Sequence, residues 1–226
     1  MTSIYQRALG QDFHRLHPEV QRRFGLSSED SIAHVGTGVM ERIWRGRFYT
    51  IPFLRLGTWR NIMFPEHGHN LPFTVHNYPY VDSFGRETVT WVRKFDVRGN
   101  QRRFDATMIY SDERQRIVDY LDTHQHLAVD LHLSVEKNGG LSLRSGEQRF
   151  YEWRRGFRFP LFLSGVANVC EWYEADEGRF RIRVEVTNPV WGQLFGYEGW
   201  FTIEESECRP GHVPAELLPR REERRE

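Results

Sequence analysis

Alternation with a period of two, sustained from about residue 71 to residue 203, constrains this chain more than any other feature. In an extended strand, residues two apart point to the same face. Val89, Trp91, Arg93 and Phe95 share one face, and Phe104, Ala106, Met108 and Tyr110 share another. Leu127, Val129, Leu131, Leu133 and Val135 follow, then Asn138-Gly139-Gly140, a strong hairpin signal. Further runs cover 166–175, 180–186 and 195–203, with a turn at Asp176-Glu177-Gly178. An earlier run sets Val35, Thr37, Val39, Glu41 and Ile43 on one face, with Gly36, Gly38, Met40 and Arg42 on the other. Roughly eight to ten closely spaced strands, with no helix recurring between them, exclude a doubly wound parallel sheet. The expected fold is mainly β: an antiparallel β-barrel or strongly bent sheet, lipocalin-like in outline, with short N-terminal helices. A two-sheet sandwich is the alternative.

The helices are signalled locally. Ser3-Ile4-Tyr5-Gln6 has capping-box spacing with Gly10 as a stop, and Pro18 and Gly25 bracket a second helix. Between Arg45 and Arg60 the apolar residues are dense but do not alternate, and Pro52 forbids a regular helix interior, so a short helix or lid-like connection is expected. Residues 1–208 read as one β-rich domain. Residues 209–226, with three prolines and a mixed-charge end, read as a flexible tail.

Composition narrows the function classes. Lys+Arg and Asp+Glu both number 31, so the net charge is zero, which argues against a nucleic-acid partner. Two distant cysteines in no CxxC pair suit a reducing compartment, and the N-terminus has no apolar signal-peptide core, so a cytoplasmic location is expected. No window is long and apolar enough for a transmembrane helix. Nucleophile, Walker and HExxH signatures are missing. Gly36-Thr37-Gly38 leads into a strand without the third glycine of a dinucleotide fingerprint, so no cofactor is expected. His67/His69 and His124/His126 have i, i+2 spacing but no diagnostic ligand set, and they are read as solvated side chains, with no metal.

The informative signal is charge on inward faces. Arg93 lies between Trp91 and Phe95, Glu171 between Val169 and Tyr173, Glu41 between Val39 and Ile43, and Tyr197 between Phe195 and Gly199. A charge on an apolar face must be paired or must open onto a polar-spotted pocket. Arg93 is therefore expected to pair with Glu171 or Glu41, or the face opens to solvent, or these groups orient a ligand. Glu41, Trp91, Arg93, Glu171 and Tyr197 form the candidate site for a small apolar metabolite or lipid. An enzyme using Arg93 to hold an anion and Glu171 as acid or base is the alternative; a non-catalytic protein-interaction domain is another. The aromatic, arginine-bearing stretch of 45–60 is the expected exposed patch, read as a cavity lid or homodimer contact in preference to a lipid anchor.

Several segments carry a resemblance. Ile4-Tyr5-Gln6-Arg7-Ala8-Leu9-Gly10 with Asp12-Phe13 and Leu16-His17-Pro18, then Trp91-Val92-Arg93-Lys94-Phe95, resemble parts of one bacterial family. So do Gly156-Phe157-Arg158-Phe159-Pro160, Glu171, Gly178-Arg179-Phe180, Val184, Pro189, Gly192, Tyr197 and Gly199. That family is a domain of unknown function that occurs alone or fused C-terminal to reductase- or epimerase-like Rossmann domains. The resemblance implies an independently folding accessory domain and no particular reaction.

Overall fold

The short N-terminal helices form where their caps are written. In the computed structural model, which describes residues 2–160, 164–208 and 212–226, α1 (Ile4–Leu9) opens with a reciprocal capping box between Ser3 and Gln6. Ser3 also donates to the carbonyl of Phe24 at 2.8 Å, tying α1 to the end of α2 (Pro18–Phe24). The His17 imidazole caps α2, with Pro18 in its first turn. Eleven strands follow among the described residues: β1 (Ile32–Arg45), β2 (Gly68–Val81), β3 (Glu87–Val97), β4 (Asn100–Ser111), β5 (Arg116–Leu121) and β6 (Leu127–Val135). The rest are β7 (Leu141–Glu152), β8 (Arg155–Arg158), β9 (Val166–Glu174), β10 (Arg179–Asn188) and β11 (Gly192–Glu207). The helix α3 (Ile51–Trp59) fills the connection between β1 and β2, its Pro52 tolerated because it sits in the first turn.

Every pairing is antiparallel, in the order β6-β5-β4-β3-β2-β1-β11-β10-β9-β7, and β7 also pairs with β6. Ten strands thus close a barrel, with β8 folded back on the end of β7. Closure leaves no long unpaired edge. The expected barrel is present, and the sandwich is excluded. No helix of the described residues is long and apolar enough to cross a membrane.

The two ends differ. At one, α1 and α2 plug the barrel, and His17 N–H donates to the carbonyl of Gly139 at 2.8 Å. Gly139 has φ +78°, and a Cβ there would stand 2.7 Å from the His17 nitrogen, so only glycine allows this turn to dock the helix. At the other end, α3 and the turns after β5, β7 and β10 surround an opening.

Inside, one half is filled and the other is hollow. Phe64, Phe73, Phe95, Phe195, Tyr197 and Phe201 pack with ring centroids about 5–6 Å apart along β1, β2, β3 and β11. The facing wall of β4 to β7, β9 and β10 includes shorter side chains, among them Val129, Leu143, Ser145, Ala167, Val169 and Val184, which do not reach across.

Strand β1 departs from simple alternation. Met40 and Glu41 together face Gly199 of β11, a bulge between the pairs Val39–Trp200 and Arg42–Glu198. Ala33, His34, Gly36, Met40 and Ile43 are the buried positions of β1, and Glu41 turns outward. A Cβ on Gly199 would stand 2.2 Å from the Val39 carbonyl oxygen and 2.6 Å from Met40 Cα. Gly199→Ala is expected to lose about 1–3 kcal/mol in urea unfolding; a wild-type midpoint would show that the bulge relaxes freely.

The chain end makes contacts of its own. Residues 212–226 lie against the outer wall, with Val213 and Leu217 buried beside Tyr78, Tyr80 and Val92. Tyr120 and Tyr151 hydroxyls donate to the carbonyls of Arg225 and Glu226, each at 3.0 Å. Glu223 N–H donates to Gln125 at 2.7 Å. Outward tyrosines on strands distant in sequence supply partners that composition does not reveal.

Candidate functional site

The hollow half of the barrel holds a cavity of about 330 Å³, within the size range of small-molecule sites. Its wall is overwhelmingly apolar: Trp91, Phe104, Met108, Leu121, Leu127, Val129, Leu131, Leu143, Val169, Val184 and Val186. Phe53, Leu56, Gly57 and Arg60 from α3 and its end close over one side, and Phe150 and Phe159 stand opposite. Into this lining project a few polar groups: Arg93, Asp119, Ser145, Gln148 and Ser164.

Two of them are charged and buried. Arg93 is 3 % exposed; its Nη1 donates to the Tyr197 hydroxyl at 3.1 Å, and its guanidinium lies 3.9 Å from the centre of the Phe104 ring. Its Nε has no partner among the described residues. Asp119, also buried, leaves Oδ1 unpartnered among the described residues. Removal from water pushes the Asp119 carboxyl up to about 7, and the positive charge of Arg93 opposes part of that rise. Nearer the opening, the Ser164 hydroxyl likewise has no partner among the described residues, while Gln148 donates to the Gly165 carbonyl at 2.6 Å. Buried polar atoms without partners are costly, and the residues that carry these three, Arg93, Asp119 and Ser164, all line this cavity.

The five residues singled out from sequence parity separate. Trp91 and Arg93 line the cavity. Tyr197, fully buried, stands behind Arg93 and fixes its guanidinium. Glu171 is fully buried too, but its carboxylate takes Arg23 of α2 as partner, through Nε and through Nη2 at 3.3 Å, and it does not line the cavity. Glu41, turned outward by the bulge, accepts two 3.0 Å bonds from Arg181. The expected pairing of Arg93 with Glu171 or Glu41 is thus replaced by Arg93–Tyr197, Arg23–Glu171 and Arg181–Glu41. Parity alone identified the inward faces but could not place the plug helix or the bulge.

Asp119 escaped the sequence reading, although the signal was present. Ile117, Asp119 and Leu121 alternate as Trp91, Arg93 and Phe95 do, on a strand too short to stand out.

At the rim, Asp122, His124 and His126 bring their ligand-type atoms within 4.8 Å of one another. The His126 ring lies 3.0 Å from Asp122 on one side and 2.9 Å from Glu152 on the other. Arg60 Nη1 stands 2.9 Å from the same His126 Nδ1, so a guanidinium already occupies the place a cation would take. The Asp122 carboxylate also accepts from the backbone N–H groups of His124 and His126, which makes it the anchor of the β5–β6 turn. His69, by contrast, is exposed, its Nδ1 3.2 Å from the Glu41 carbonyl oxygen.

Sequence comparison supplies the kinship. The family described as Domain of unknown function (DUF4166) matches residues 16–201. "Uncharacterized protein YndH" of Bacillus subtilis (strain 168) is 33% identical over 207 residues, covering 92% of this chain and 100% of the relative. No solved structure matches. From the 16–201 match and the full-length likeness to the Bacillus protein, the chain belongs to the DUF4166 family.

Proposed function

We propose that this domain binds a small amphipathic molecule, an apolar body ending in a carboxylate or similar oxyanion, within the barrel. The observation that carries this reading is an otherwise apolar cavity of about 330 Å³ with buried Arg93 and Asp119 in its lining, each keeping one side-chain polar atom unpartnered among the described residues. The apolar wall accepts the body by the hydrophobic effect. Arg93, held by Tyr197, donates to the head group, and Asp119 in its protonated form donates beside it. A place behind a reductase- or epimerase-like domain, as in the fused forms of the family this chain resembles, would suit a holder of small metabolites. Free Cys170 and Cys208 agree with a cytoplasmic setting.

A dansyl-labelled medium-chain fatty acid and its alcohol analogue test this directly. The acid is expected to bind and Arg93→Met to weaken it about 10- to 100-fold, with the alcohol affected far less. Affinity for the acid should fall as pH rises through about 7, because Asp119 then ionises and repels the carboxylate. Failure of the wild-type protein to bind either probe, or equal losses for both, would overturn the proposal.

A second reading has one observation of its own. A carboxyl titrating near 7 inside an apolar cavity is suited to proton transfer, so Asp119, rather than Glu171, would be the acid or base of any small-molecule chemistry.

A further inference from the structure

Exposed apolar side chains on this protein are not scattered. Of the eleven large hydrophobics that are more than a third exposed among the described residues, nine surround the open end of the barrel; the exceptions are Val81 and Phe84. Trp59 is 75 % exposed, Trp153 86 % and Phe48 79 %, with Leu56, Phe157 and Trp191 completing the ring. They belong to three separate segments: the connection holding α3, the β7–β8 hairpin, and the turn between β10 and β11. Strand register puts all three at the same end, since β1 finishes at Arg45 opposite Phe195, and β7 passes Phe150 opposite Leu127. Tyr49 joins two of the segments, donating to the Trp191 carbonyl at 3.1 Å.

Charge is segregated with them. Residues 42–60 contain five arginines and no acidic residue, and residues 153–160 contain three arginines and none. Arg47, Arg55, Arg154 and Arg155 are exposed and have no carboxylate partner among the described residues. A chain with zero net charge thus presents one strongly basic, aromatic end.

We infer that this end docks on an anionic lipid bilayer, with the cavity mouth facing the membrane. The inference rests on the cavity reading for its purpose, the exchange of an amphipathic ligand with the bilayer, but not for its measurement. Aromatic and aliphatic side chains mixed with arginines around one opening fit a headgroup interface, where apolar tips insert and cations meet phosphates. A second copy of the chain fits poorly. A two-fold contact would set this patch against itself and bring like charges together. Single-stranded nucleic acid would use the arginines and rings, but gains nothing from exposed Leu56 and Val190 around a hole.

Co-sedimentation with vesicles of phosphatidylcholine alone, and with about one-third phosphatidylglycerol added, tests the docking. The intact chain should bind the anionic vesicles at about 0.05 M salt and release them at about 0.5 M, with a blue shift of tryptophan fluorescence while bound. The exposed double variant Arg55→Glu/Arg154→Glu should bind at least about tenfold more weakly, since each basic residue contributes about fivefold. Trp59→Ala should weaken vesicle binding at low salt and diminish the blue shift without changing the salt dependence. Both variants should melt like the parent and take up the dansyl fatty acid unchanged, whereas Arg93→Met should still bind vesicles. Vesicle binding without probe uptake would therefore defeat the cavity reading alone. The docking inference is overturned if anionic vesicles are not bound, or if the charge reversal leaves binding intact. It is equally overturned if the rim substitutions instead abolish self-association in sedimentation velocity, or oligothymidine binding, in a protein that ignores vesicles.

Discussion

Arg23→Met is expected to destabilise the protein by about 3–5 kcal/mol, because it leaves the fully buried Glu171 without its partner. Arg23 reaches from α2 to β9, with its guanidinium also 5.0 Å from the centre of the Phe201 ring, so the pair pins the helical plug to the barrel wall. Burial already raises the Glu171 pKa, and Arg23 holds that rise in check. Without Arg23 the carboxyl takes up a proton in the folded state that the unfolded chain does not hold. The variant's stability should accordingly fall as pH rises above the ordinary glutamate range, and its deficit should be greatest at neutral and alkaline pH. Arg23→Met/Glu171→Leu, which removes both charges, should recover most of the loss or exceed the parent. Urea unfolding at acidic and mildly alkaline pH measures both effects. A single variant within about 1 kcal/mol of the parent at alkaline pH would show that water reaches Glu171 and that the plug is loose.

Asp119→Asn should act in the opposite direction. Asp119 has a folded pKa near 7 against an ordinary value of 3.8, because burial disfavours its charge. Between those values the folded protein holds a proton that the unfolded chain has released, so stability falls as pH rises across this window and the penalty is complete above about 7. Below the ordinary value both states are protonated and no penalty exists. The full span is worth up to about 4 kcal/mol. Asparagine keeps the shape without the charge, so the variant should be more stable than the parent at pH 8, indistinguishable at pH 4, and flatter between. Thermal melts across that range read the result directly. A melting profile parallel to the parent's would mean that Asp119 stays ionised. Gain of stability from deleting a buried charge is the mark of a group kept for binding or chemistry rather than for folding.

Much of this architecture was legible because the underlying periodicities are local. The Ser3–Gln6 box, Pro18, the glycines of the 138–140 turn and the two-residue repeat each act over a few residues, and each reappears in the fold where the chain wrote it. The inward placement of Trp91, Arg93 and Tyr197 followed from the same repeat. Glu41 did not follow, because a bulge at Met40–Glu41 reverses the phase of β1, and the space that permits it is supplied by Gly199 about 160 residues away. Glu171 was correctly read as inward, but its partner sits on a helix 148 residues distant, beyond any spacing rule.

By itself, then, the sequence determined that the chain is mainly antiparallel β with short N-terminal helices and, β1 apart, which strand faces turn inward, since these depend on neighbours along the chain; closure into a barrel rather than a sandwich was left to the tertiary structure. Tertiary structure alone decided which inward charges meet, that half the interior is filled by rings and half is left open, and that basic and aromatic segments far apart in sequence converge on one rim. It also decided that the proline-rich, charged end finds tyrosine hydroxyls to bind. Such outcomes depend on closure of the barrel, which brings β6 against β7 and sets opposite walls at a fixed distance that short side chains cannot span.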